Sequence, residues 1–108
     1  MKKIIQGIRY DTDKATLIGE ASADCPMNDF GYWEAALYRA PRSGRHFLAG
    51  SGGPMSRYGR GGMGAGGNET HGGDRIDPMT KEEAMRWAEE YLYPEEVEEH
   101  FGDMIEEA

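Results

Sequence analysis

Apolar residues in the first half of the chain alternate with polar ones rather than recurring in helical steps. Residues 2–10 read as two short β runs around Gln6-Gly7, a pair that supplies the positive φ of a two-residue hairpin loop. After the turn-rich Asp11-Thr12-Asp13-Lys14, the run Ala15-Thr16-Leu17-Ile18-Gly19-Glu20 predicts another strand, and residues 24–28, with Pro26, predict a loop. The aromatic-rich FGYWEAALYRA of residues 30–40 suits strand or helix by propensity. The break Pro41-Arg42-Ser43-Gly44 and the following His46-Phe47-Leu48 complete a hairpin, which selects the strand.

The pattern then changes. Residues 50–73 hold eleven of the sixteen glycines, with Met55, Tyr58 and Met63 as almost the whole of their apolar bulk. Such a segment buries too little surface to offset its backbone entropy, so a long mobile loop is expected. Asp74-Arg75-Ile76-Asp77 predicts a short edge strand that Pro78 ends. Thr80 and Glu83 fit a capping box, and Ala84, Trp87, Ala88 and Tyr91 follow at helical spacing. Trp87 and Tyr91 should therefore face the sheet. Pro94 suits the first turn of a second helix over 94–107, with Val97, Phe101, Met104 and Ile105 on one stripe and Gly102 as a point where it shortens. The expected fold is one α+β domain over 1–108: a small antiparallel sheet from residues 2–50 and 74–77, a mobile glycine-rich loop at 50–73, and two C-terminal amphipathic helices within 80–107.

Composition supports a chain that folds alone. It is 108 residues long, 38% hydrophobic and 30% charged, enough for one modest core. No window approaches about eighteen consecutive apolar residues, and MKKIIQGIRYD lacks the apolar stretch of a secretory signal. The lone Cys25 suits a reducing compartment, so the expected location is the cytoplasm of a bacterial host, with no membrane contact.

Charge changes the picture most. Residues 1–80 carry ten basic and nine acidic side chains, whereas residues 81–108 carry two basic and eleven acidic ones, a net of −9. The whole acidic excess lies in the helical part. Glu95, Glu96, Glu98, Glu99, Asp103, Glu106 and Glu107 would place seven negative charges along roughly 21 Å of the second helix. That is one charge per roughly 3 Å, against roughly 3.4 Å per phosphate in a single DNA strand. A solvated face selected for solubility reaches similar values. Such a block repels nucleic acid and anionic lipid, so direct nucleic-acid contact would have to use Arg42, Arg45, Arg57 and Arg60. Proteins with basic, nucleic-acid-binding surfaces are the natural partners.

Chemical motifs are thin. Gly59-Arg60-Gly61-Gly62-Met63-Gly64 satisfies G-x-G-x-x-G but has neither the preceding strand nor the following helix that a pyrophosphate site requires. Arg57-Tyr58-Gly59-Arg60-Gly61-Gly62 has the look of an RGG segment with too few arginines. His46, His71 and His100 show no zinc spacing, although His71 with Asp74 and Asp77, or Cys25 with a histidine brought near by folding, offers a weak cation site. His46 within RHFLAG reads as a packed strand residue. Ser51 and Ser56 lack the nucleophile-elbow pattern, and Trp33, Trp87, Tyr32, Tyr38 and Tyr91 read as core. No cofactor is expected.

Several segments together resemble a known group. Lys3-Ile4-Ile5 through Arg9-Tyr10-Asp11-Thr12 comes first, then Asp29-Phe30 with Tyr32-Trp33-Glu34 and Leu37-Tyr38-Arg39. Phe47-Leu48 with Gly52-Gly53-Pro54-Met55-Ser56 follows, and last Glu83-Ala84 with Trp87-Ala88-Glu89-Glu90. These are similar to a family of short acidic proteins, mostly without an assigned activity, encoded by phages, plasmids and integrative elements. The glycine run from 59 to 67 is longer here than in that family. The resemblance implies an anti-CRISPR or other anti-defence inhibitor. The functional expectation is thus a binding protein rather than an enzyme. Its acidic helices would engage a basic protein surface, a CRISPR effector being one such partner, with Arg57, Tyr58 and Met63 as secondary contacts. Alternatives are a regulator that binds nucleic acid or a host factor through Arg57 and Arg60, and an enzyme that holds a phosphate ligand on the glycine loop.

Overall fold

The structure, a computed structural model, describes residues 1–23, 31–52 and 73–108. The expected loop at 24–28 and the core of the glycine-rich segment, 53–72, lie outside them. In chain order the elements are β1 (Lys2–Ile5), β2 (Ile8–Asp11), β3 (Thr16–Ser22), β4 (Trp33–Arg39), β5 (His46–Gly52), β6 (Gly73–Met79), α1 (Lys81–Tyr91) and α2 (Pro94–Phe101). A 3₁₀ turn, Gly102–Met104, follows. The fold is α+β.

The strands form two antiparallel sheets instead of the single one expected: a β1–β2 hairpin and a four-stranded meander in the order β3-β4-β5-β6. The hairpin turns at Gln6 (φ 51°) and Gly7 (φ 78°), the doubly positive geometry whose twist matches the flanking strands. Side-chain alternation on β4 decides between strand and helix for that segment. Ala35 and Leu37 are buried on one face, and Tyr38 stacks on Phe47 at 5.4 Å on the other. A helix over the same residues would have split these two sets.

The β strands also extend further than their composition implied. Gly50, Ser51 and Gly52 pair in β5, with Gly50 buried, and Gly73 opens β6. The ladder partners on β4 and β6 override the low strand propensity of glycine. Pro78 does not end β6, because it sits opposite Phe47 on an edge strand of this sheet, where a residue without an N–H is tolerated.

The meander is the middle of three layers. On one face α1 and α2 bury Ala84, Trp87, Ala88, Val97 and Phe101 against Ile18, Ala35, Leu37 and Leu48. On the other, Tyr10 of the hairpin packs edge-to-face on Phe47 at 5.3 Å, beside Ile76. Thr80 caps α1 as expected: its hydroxyl accepts from the Glu83 N–H (3.1 Å), while the Glu83 carboxylate accepts from the Thr80 N–H (2.9 Å). These bonds hold the Glu83 carboxyl below its usual pKa range.

Between the helices, Tyr93 is held extended (φ −75°, ψ 151°), as the residue before a proline must be, and Pro94 opens α2. The helix expected over 94–107 is shortened at Gly102, the point the sequence marked: it ends at Phe101, where the backbone leaves helical space (φ −131°, ψ 18°) and tightens into the 3₁₀ turn. Glu106 and Glu107 therefore lie beyond the helix, on an exposed C-terminal segment.

One close approach fixes how the helical layer sits. The β3–β4 register shifts between Leu17 and Gly19, a bulge that leaves Ile18 and Gly19 both buried. A Cβ on Gly19 would lie 2.6 Å from each Leu92 Cδ. Gly19→Ala is expected to cost about 1–3 kcal/mol by overpacking, and less in a Leu92→Ala background. Urea unfolding of the four proteins measures this, and equal costs in both backgrounds would place Leu92 elsewhere.

Candidate interaction surface

The helical layer carries the acidic excess on its outward face. α2 presents Glu95, Glu98 and Glu99 to solvent, with Glu96 partly covered. Its eight residues span roughly 12 Å and hold four acids, which keeps the expected density of one charge per roughly 3 Å over about half the expected length. On α1, Glu82, Glu89 and Glu90 are exposed as well, so the field comes from two helices rather than from one long rod.

Two of the seven acids expected to face a partner have local tasks. The Glu96 carboxylate accepts from the Tyr93 N–H at 3.2 Å and so closes the start of α2. Asp103 accepts from Lys81 Nζ at 2.8 Å, tying the 3₁₀ turn to the first residue of α1 and holding the Asp103 carboxyl below its usual range. This pair is exposed and contributes little to stability, but it neutralises one charge. Glu99 lies 3.7 Å from His100 Nε2. Glu95, Glu98, Glu106 and Glu107 have no ion-pair partner among the described residues. Arg57, Tyr58, Arg60 and Met63, the residues expected on the glycine loop, lie outside the described residues.

Sequence reasoning missed a groove that this layer encloses. Between α1, α2 and the C-terminal segment, Met85, Leu92, Val97, Met104 and Ile105 line a recess of about 470 Å³. Val97 is buried, whereas Ile105 is 39% exposed. Glu89, Glu98 and Glu106 stand around it. The signal was the stripe Val97-Phe101-Met104-Ile105, which a single continuous helix would have turned wholly into the core. Because the chain leaves helical geometry at Phe101, the last two members of the stripe line the recess instead.

Positive charge collects on other elements. Arg9 and Lys14 belong to the hairpin side and Arg42 to the β4–β5 turn; with Asp11 among them they line a second recess, of about 460 Å³. Arg45 is exposed in the same turn. The hairpin itself is thus richer in cations than the helical layer, while Glu20 and Glu34 keep the sheet face on its side mixed in charge.

His46 is a packed strand residue, as its RHFLAG setting suggested. It is buried and stacks on Phe101 at 5.6 Å. Burial, together with the nearby Arg39, Lys81 and His100, pushes its pKa below the ordinary 6.5. The unfolded chain consequently takes up a proton that the folded chain resists, so stability is full above about pH 6.5 and falls as pH drops below it. Thermal melts across pH 5–8 should show that slope, and His46→Gln should flatten it. A slope that persists in the variant would assign it to other groups. Among the described residues, no group of three His, Cys, Asp or Glu side chains is placed to hold a metal ion, and His71 and Cys25 lie outside them. No helix among the described residues is long and apolar enough to cross a membrane.

Comparison with protein-family models, curated proteins and solved structures gives no match for this chain.

Proposed function

We propose that this protein acts by binding, as a mobile-element inhibitor of the anti-CRISPR kind. Its acidic helical layer occupies the basic, nucleic-acid-binding surface of a nucleic-acid-processing protein, such as a CRISPR effector in the bacterial cytoplasm, and keeps nucleic acid out. The observation that carries this reading is the concentration of exposed carboxylates on one layer: Glu95 and Glu98 on α2, Glu89 and Glu90 on α1, and Glu106 and Glu107 after the 3₁₀ turn, none with an ion-pair partner among the described residues, with Glu99 beside His100 adding to the field. Such a field attracts a cationic groove from beyond contact distance and repels the polyanion that normally fills it. The resemblance to short proteins of phages and plasmids supports the same role. No cofactor is needed for it.

Affinity capture tests the proposal. The immobilised protein is incubated with bacterial lysate at low salt, and bound proteins are eluted with duplex DNA. Elution of nucleic-acid-binding proteins by DNA at concentrations too low to act as mere salt is the expected result. Captured proteins that DNA leaves in place would contradict a shared surface.

A further inference from the structure

We propose that the groove between α1, α2 and the C-terminal segment docks a lysine- and arginine-rich amphipathic helix of the partner, an inference that rests on the binding role above and names what the acidic layer recognises. The floor is apolar: Leu92, Met85 and Met104 are half-buried, and Ile105 stays 39% exposed. The recess of about 470 Å³ falls within the range of roughly 300–1,000 Å³ in which proteins hold ligands. What sets this place apart is the combination: Met85, Leu92, Met104 and Ile105 form one apolar floor, and carboxylates from three elements stand around it.

The rim decides the occupant. Glu89, Glu98 and Glu106 are exposed on separate elements around the floor and lack an ion-pair partner among the described residues. An apolar side chain entering the floor brings its neighbours on the incoming segment against these carboxylates. A neutral or acidic segment would leave three carboxylates partly desolvated without compensation, whereas lysine or arginine lays its aliphatic stem on the floor's edge and its charge on the rim. An extended segment gains nothing here, because α1 and α2 satisfy their own backbone groups and offer no edge to pair with. A helix with apolar residues at i, i+3 and i+4 and cations beside them meets both requirements.

The experiment is an NMR titration of the methyl-labelled full chain with three synthetic helical peptides of equal length. One is a lysine-leucine peptide with a single apolar stripe. The second has the same composition with the leucines scattered, and the third keeps the stripe but carries glutamine for lysine. The striped basic peptide should shift the methyl signals of Leu92, Val97, Met104 and Ile105 and bind about tenfold tighter than the scattered one. Ile105→Ser, whose fold is checked by its unchanged melting temperature, should lose that advantage and bind the scattered peptide as before. Equal binding of the two basic peptides, without methyl shifts and unaffected by Ile105→Ser, would overturn the groove while leaving the acidic-layer reading standing. Glutamine-peptide binding as tight as that of the striped basic peptide would overturn both, and binding of none of the three would overturn the groove as a docking site.

Discussion

Replacing Trp87 with alanine is expected to cost about 3–5 kcal/mol, a large part of the roughly 5–15 kcal/mol that holds a domain of this size together. Trp87 is 6% exposed on the inner face of α1 and lies 5.0 Å, centroid to centroid, from Tyr91, which in turn meets Trp33 edge-on at 5.4 Å. This aromatic chain joins α1 to the first residue of β4. Its indole Nε1 is buried and has no hydrogen-bond partner among the described residues, so the residue contributes through its ring and not through its N–H. Trp87→Phe should accordingly retain much of what alanine loses. Urea unfolding measures both, and a midpoint unchanged in Trp87→Ala would mean that α1 is not seated on the sheet through this side chain.

The second large effect is electrostatic. Reversing Glu95, Glu98 and Glu99 to lysine changes each charge by two and moves the formal net charge from −8 to −2. The set leaves out Glu96 and Asp103, because one closes the start of α2 and the other pairs with Lys81. It leaves Val97 and Phe101 in place under the helix. Lysine in the first turn opposes the helix dipole, which costs roughly 0.3–1 kcal/mol and leaves the fold standing. Association with a basic partner should slow by on the order of tenfold or more in the triple variant, and wild-type association should slow as salt shortens the Debye length toward about 8 Å and below. A stopped-flow series across salt concentrations reads both, and rates indifferent to charge and to salt would remove the field from the account.

Much of the fold was legible because short-range rules acted without competition. Gln6-Gly7 has one low-strain use between two β runs, Thr80 with Glu83 closes a cap, and Pro94 forces Tyr93 out of helical space. What was not legible depended on partners distant in sequence. Glycines 50, 52 and 73 are poor strand formers that enter the sheet only because neighbouring strands supply the ladder. Pro78 is admissible only once β6 is known to be an edge.

The acidic surface was legible as charge but not as shape. Counting carboxylates along 94–107 gave the correct linear density, yet it could not assign Glu96 and Asp103 to local bonds. Nor could it show that the break at Phe101 would open an apolar groove between Glu89, Glu98 and Glu106. The Glu96 bond is a local contact at the start of α2, whereas the groove and the Asp103–Lys81 pair follow from where the chain turns after Phe101, which packs against His46 and the sheet.

The most direct test of the proposed role is a competition titration on a nucleic-acid-binding protein captured as above. That protein is loaded with labelled duplex DNA, and the acidic protein is added while DNA release is followed by fluorescence anisotropy. Stoichiometric release by the wild type, with at least about tenfold more of the Glu95→Lys, Glu98→Lys, Glu99→Lys variant needed for the same effect, is the predicted result. A stable ternary complex, in which the protein binds and the DNA stays, would contradict it.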